Sequence, residues 1–167
     1  QKLDTLLPEA KTSQNYWGVD DKAMFNFAST ILDTAHTFPR LEIYHTLQSH
    51  SPFTVPNVSK YKKQFDAHLK ALDVSENARA SYKQYRSEFM TLMFADQAVR
   101  DFMNSYQERE QFENTIFVFT GDHWLIPVPQ TTVISRYHVP IIIYSPKIKE
   151  SVHFKSVTTH ADVVPTL

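Results

Sequence analysis

Cysteine is absent from the 167 residues, which excludes disulfides and thiolate metal centres. Glycine is nearly absent: only Gly18 and Gly121 are present, where average usage would give about 12. No glycine-rich phosphate loop and no Gly-x-Ser-x-Gly nucleophile elbow can therefore be read. A glycine at the end of a strand becomes correspondingly informative. No apolar run approaches the roughly 18 residues of a membrane-spanning helix. Neither sign of charge dominates, with 17 Lys+Arg against 18 Asp+Glu and a net charge of −1. That balance gives no reason to expect nucleic acid or an anionic membrane surface as partner. No signal peptide is visible, and the first residue is Gln1. What is present is ordinary for a globular chain: 42% apolar and 21% charged residues, with length enough for one domain and a sizeable core.

Along the chain, residues 1–19 are polar and irregular, with Tyr16 and Trp17 beside Gly18. Asp20 or Asp21 can cap a helix in which Ala23/Met24, Phe27/Ala28 and Ile31/Leu32 recur at helical spacing, ended by Thr37-Phe38-Pro39. Residues 41–47 alternate and predict a strand with its apolar face on the odd positions. Gln48-Ser49-His50-Ser51-Pro52-Phe53 is the loop after it. Residues 58–72 are basic and weakly helical, and Lys60, Lys62 and Lys63 read as a solvated face or an anion-attracting patch. Ser75 caps a long helix predicted to reach about Glu110, with Tyr82, Tyr85, Phe89, Leu92/Met93, Val99, Phe102/Met103 and Tyr106 as its buried stripe. Residues 116–120 form a continuous apolar run that suits a central parallel strand. After a proline-containing loop over 124–137, residues 139–144 give a second buried strand, and His160-Ala161-Asp162 opens a last helix. The order predicts an α/β fold, a mostly parallel sheet with flanking helices. In such sheets ligands bind beyond the carboxyl ends of the strands. Two segments fall there: Ser49-His50-Ser51 and Gly121-Asp122-His123.

Asp122 and His123 are a carboxylate and an imidazole just past a strand. Neighbouring side chains point to opposite faces of a strand, so one metal ion can hold both only if the chain turns sharply, which Gly121 allows. Oxygen plus nitrogen donors suit zinc or manganese. The same three residues also allow an ordinary loop in which Asp122 caps a helix and His123 is solvated. His50 can donate to an anionic substrate oxygen or stand as a surface residue in a polar turn. His160 is a candidate oxyanion donor or second ligand, or a residue packed on the helix terminus. Arg136, Tyr137 and His138 precede a strand and reach the site only if their loop folds over it.

Taken together, these segments resemble the alkaline phosphatase superfamily in its sulfatase-like branch, and most closely the lipoteichoic acid synthase and phosphoglycerol transferase group. Tyr16-Trp17-Gly18-Val19-Asp20-Asp21-Lys22-Ala23-Met24-Phe25 is similar to that group's aromatic-Gly-x-x-Asp-Lys-x-x-Phe segment. Leu47-Gln48-Ser49-His50-Ser51-Pro52-Phe53 is similar to its Leu-x-x-His-x-Pro-Phe loop. Phe94-Ala95-Asp96-Gln97-Ala98-Val99 matches its Asp-x-Ala helix, and the segment from Asn114 to His123 its metal-binding strand. His138-Val139-Pro140 and His160-Ala161-Asp162-Val163-Val164-Pro165-Thr166 match the closing strand and helix.

The resemblance implies an alkaline-phosphatase-like partial domain, with residues 1–167 as the C-terminal portion of a sulfatase-like catalytic domain. It implies one divalent metal ion, Mn or Zn, with Asp122 and His123 as ligands. His50 would bind the substrate phosphate, with His160 and His138 as further substrate-binding candidates. It implies transfer of a phosphoglycerol-type headgroup from a membrane lipid through a covalent intermediate on a Thr or Ser. Sulfate-ester or phosphodiester hydrolysis, or a non-catalytic domain that keeps the fold, are the alternatives. The nucleophile, the first acidic ligand and a membrane anchor are expected upstream of Gln1, so no catalytic nucleophile is assigned within this chain. The expected partners are a lipid-linked or polyol phosphate and the rest of the catalytic domain, at the cell membrane with the catalytic part outside the cytoplasm.

Overall fold

The computed structural model describes residues 18–34 and 39–167. The irregular start around Tyr16 and Trp17, and the helix stop at Thr37-Phe38, lie outside the described residues.

Helix α1 (Asp21–Thr34) turns Asp21, Phe25, Ala28 and Leu32 inward, a spacing of four, three and four that keeps one face to the core. Asp20 is its cap: Oδ1 accepts the Ala23 N–H at 2.8 Å. Helix α2 (Val58–Ala71) starts at Asn57, whose side chain accepts the Lys60 N–H, and buries Tyr61, Phe65 and Leu69. Lys60, Lys62 and Lys63 stay exposed on its other face, as a solvated stripe does. Ser75 caps the next helix as predicted, accepting the Ala78 N–H. The single long helix is two: α3 (Glu76–Gln84) and α4 (Arg86–Tyr106), broken at Tyr85, where φ is −101° and ψ 32°. Arg79 of α3 reaches back and donates to the Leu69 and Leu72 carbonyls, satisfying acceptors that the end of α2 leaves open.

Helix α4 is the spine. Its buried residues Met90, Phe94, Ala98, Phe102 and Tyr106 step by four. The inward stripe is thus turned from the predicted one, and Leu92 is exposed. One core packs its first half against α2, with Val55, Tyr61, Phe65 and Leu69 around Met90 and Phe94. A second packs its other half against α1, with Phe25 and Leu32 on Ala98, Phe102 and Tyr106.

The α/β class stands, with helices flanking a small sheet. Its strand direction differs from expectation. Strands β1 (Phe117–Thr120) and β2 (Ile141–Tyr144) pair antiparallel, Phe117 opposite Tyr144 and Thr120 opposite Ile141. A parallel pair needs a crossover, usually a helix. Between β1 and β2 the described chain offers only one short 3-10 turn, Ile134–Tyr137. β1 is half-buried rather than covered on both faces, and β2 is its sole strand neighbour among the described residues. Residues 41–47 run without regular secondary structure, and the predicted apolar face is reversed. Leu41 and Ile43 are each 83% exposed, while Tyr44 packs between Phe25 and Phe102. The last helix opens with a 3-10 turn (His160–Asp162) and continues as α5 (Val163–Thr166), with Thr159 and Asp162 forming a capping box. The Thr159 N–H and hydroxyl hold the Asp162 carboxyl below its usual range.

Candidate active site

Strand β1 ends at Thr120, and Gly121-Asp122-His123 leaves it directly. Gly121 does not take a positive φ. Its value is proximity: a Cβ there would stand 3.2 Å from Val139 Cγ1 and 3.5 Å from the His123 carbonyl oxygen. The sharp turn expected of a glycine is thus a close approach to the residues before β2. Gly121→Ala is expected to push Val139 aside at a cost of about 1–2 kcal/mol, read as a lower melting temperature with the far core around Phe65 unchanged.

Past that glycine the two side chains do converge. Asp122 Oδ1 accepts the His123 N–H at 2.9 Å, a local bond that fixes the carboxylate. Its other oxygen, Oδ2, lies 3.7 Å from His123 Nε2. The His123 ring Nδ1 is 2.7 Å from the Trp124 carbonyl. A carbonyl only accepts, so Nδ1 carries the proton and Nε2 presents its lone pair beside Asp122 in the neutral ring. Two ligands bound at about 2.0–2.2 Å to one ion can lie no more than about 4.4 Å apart. The pair therefore fits one divalent cation. Among the described residues no group of three or more His, Cys, Asp or Glu side chains forms a complete cage. What the described residues bring together is one carboxylate oxygen and one imidazole nitrogen.

His45 joins the cluster from residues 41–47, its Nε2 3.8 Å from Asp122 Oδ2. It escaped attention in the sequence, although a histidine in the odd register of an otherwise apolar alternation was the available signal. His160 also reaches the turn. Its Nε2 donates to the Gly121 carbonyl at 2.8 Å and stands 3.1 Å from Thr120 Oγ1. That bond ties the start of the last helix to the end of β1. His50 sits in the turn at 48–53, exposed, with Nδ1 donating to the Ser51 carbonyl at 3.1 Å. A cavity of about 540 Å³ opens beside the turn, with His123, Trp124, Ser135 and His138 in its wall. The 124–137 loop does fold toward the site and brings His138 to the same hollow as His123, while Asp122, His50 and His160 are not part of its wall.

Over 55 residues the chain is 38% identical to the phosphopentomutase of Carboxydothermus hydrogenoformans, a stretch that is 33% of this chain and 14% of that protein. The chain thus spans a small part of that relative's length. No solved structure matches it. A profile of the sulfatase family matches residues 2–167. Nearly the whole sequence is covered, and the chain belongs to the sulfatase family, within the alkaline phosphatase superfamily.

Proposed function

We propose that this chain is the metal-holding, C-terminal part of an enzyme that transfers a phosphoglycerol-type headgroup from a membrane lipid. The observation that carries the reading is the convergence of Asp122 Oδ2 and His123 Nε2 at the end of β1, 3.7 Å apart. Members of the sulfatase and phosphomutase families are typically metal-dependent. Asp122 and His123 would hold one divalent ion, manganese or zinc, which supplies Lewis-acid polarisation and a lowered pKa for a bound hydroxyl.

The chain's own residues then have separate tasks. Asp122 offers a fixed anionic oxygen, and the Trp124 carbonyl keeps His123 in the ligating tautomer. His50, His138 and His160 are the candidates for binding phosphate oxygens, His50 and His138 both being exposed. A Thr or Ser nucleophile and a further acidic ligand would come from upstream of Gln1, together with a membrane anchor. Among the described residues no helix is long and apolar enough to cross a membrane. The catalytic part would work outside the cytoplasm on a lipid-linked or polyol phosphate.

Phosphoryl rather than sulfuryl chemistry is favoured by the identity shared with a phosphopentomutase. The complete protein, given manganese or zinc, should release nitrophenol from a nitrophenyl phosphodiester faster than from a nitrophenyl sulfate by at least about 100-fold, or about 2.7 kcal/mol in transition-state binding. Preference for the sulfate would establish the sulfatase alternative, and release of nitrophenol to water alone, with no transfer to an added polyol such as glycerol, the phosphodiester hydrolase alternative. No turnover of either, with no metal binding, would establish the non-catalytic one.

A further inference from the structure

The segment Gly18-Val19-Asp20-Asp21-Lys22-Ala23-Met24-Phe25 has no task in the reading above, yet its side chains make a connected set of contacts. A Cβ on Gly18 would lie 3.0 Å from Leu47 Cδ1, so the absent side chain lets the two segments touch. Lys22 pairs with Asp101 of α4 at 2.7 Å. Phe25 stacks on Phe102, ring centroids 4.7 Å apart, and meets Tyr44 edge-on at 5.9 Å. Between them stands Asp21, 1% exposed. It is not the helix cap; that is Asp20. Its Oδ1 accepts two backbone N–H groups, Leu47 at 2.8 Å and Gln48 at 3.1 Å.

Those two amides begin the turn that carries His50. The His50 N–H donates to the Leu47 carbonyl at 3.1 Å, and the Phe53 N–H to the His50 carbonyl at 3.0 Å. The buried Gln48 side chain crosses the turn to the Thr54 carbonyl. Phe53 is held at a φ of 56°, a conformation a bulky residue keeps only where its surroundings dictate it. In the other direction, two residues before Leu47, His45 faces Asp122 at 3.8 Å. One buried carboxylate therefore fixes the backbone from which both histidines project.

Asp21 Oδ2 is buried with no hydrogen-bond partner, and burying an ionised carboxylate costs more than burying a neutral polar group. Burial raises the Asp21 pKa against the two N–H bonds that pull it down. Its place in the first turn of α1 offsets part of that cost. We propose that Asp21 is a positioning residue for the candidate site: its carboxylate clamps the Leu47 and Gln48 amides and so sets His45 against Asp122 and shapes the turn that carries His50. The part of the proposal that concerns His50 and substrate rests on the function proposed above, whereas the clamp itself does not.

The test compares Asp21→Ala and Asp21→Asn in the complete protein, with and without His50→Ala. Amide hydrogen exchange at Leu47 and Gln48, followed by NMR, should be slow in the wild type and in Asp21→Asn, which keeps the accepting oxygen. It should be at least about tenfold faster in Asp21→Ala. The Hε1 resonances of His45 and His50 should move in Asp21→Ala alone. On a nitrophenyl phosphodiester, Asp21→Ala should lose about tenfold in kcat/KM, Asp21→Asn little. In the His50→Ala background Asp21→Ala should cost nothing further, since it acts through that residue. Affinity for manganese should stay within about twofold. Unchanged exchange at Leu47 and Gln48 in Asp21→Ala overturns the clamp. Losses that simply multiply with His50→Ala overturn the link to that histidine. If Asp21→Ala does not fold, loss of protection in Asp21→Asn also overturns the clamp. If the wild type turns over no phosphodiester, the functional reading fails while exchange and the histidine resonances still decide the clamp.

Discussion

Asp122→Ala is expected to erase the rise in melting temperature that manganese or zinc gives the complete protein. The carboxylate supplies the oxygen facing His123 Nε2 at 3.7 Å, and it is held in place by the His123 N–H. A ligand present at about 100 to 1,000 times its dissociation constant stabilises the folded state by about 2.7–4.1 kcal/mol. For 150–250 residues that is on the order of 5–15 °C, and less for a longer protein. Losing one of few protein ligands removes most of the affinity and so most of the shift. The rate on a phosphodiester should fall on the order of 10³-fold, since metal polarisation is worth several kcal/mol at the transition state. Without metal the substitution should be almost silent. The side chain is 66% exposed and its internal bond is to the next residue, so the metal-free melting temperature should move by no more than about 0.5 kcal/mol's worth. The mutant therefore separates a binding loss from a folding loss. A metal-dependent rise that persists in Asp122→Ala would remove this carboxylate from the ligand set.

Phe102→Ala should be the most damaging single change in the helical part. The ring is 7% exposed. It stacks on Phe25 at 4.7 Å and meets Tyr44 at 5.7 Å and Tyr106 at 5.6 Å. Truncating a buried Phe costs about 3–5 kcal/mol in lost burial and residual cavity. That corresponds to about 6–20 °C for a chain of this length, measured by thermal unfolding. The effect should reach the site as well. Tyr44 precedes His45, and Phe25 follows Asp21 by one helical turn. Loosening that aromatic cluster should therefore speed amide exchange at Leu47 as well as lower stability. An equally buried change in the other core, Phe65→Ala, should lower stability without touching that amide.

The helices were legible because their cores are periodic. Helical spacing of apolar residues announced both helices, but it gave the exact buried face only in part: Ala28, Leu32, Phe102 and Tyr106 are buried as expected, while Phe25, Phe94 and Ala98 complete faces the sequence reading did not pick out. The break at Tyr85 was not legible, since an aromatic at helical spacing gives no local reason to stop. Alternation at residues 41–47 announced an extended segment. Which side it buries depends on what lies against it, and Phe25 and Phe102 draw in Tyr44 rather than Leu41 or Ile43. Strand direction in β1 and β2 is a long-range choice that two apolar runs do not encode. At the site, a lone glycine before a carboxylate and an imidazole pointed to a turn where the two side chains do approach each other, but for a partly wrong reason. Gly121 gives way to Val139 rather than adopting a left-handed backbone. Asp21 read, beside Asp20, as a possible cap because an aspartate opening a helix ordinarily is one. Its bonds to residues 26 and 27 positions away lie beyond any local pattern.

Helix α3 buries none of its residues completely. It is tethered by the Ser75 hydroxyl, by Arg79 at the end of α2 and by Tyr82 leaning on Phe89. Such a segment opens locally at a free energy well below that of the whole chain. Residues 72–85 are thus the natural place to graft a fluorophore or an affinity peptide. A reporter there would ride on a segment that opens early while leaving the turn at Gly121-Asp122-His123 undisturbed.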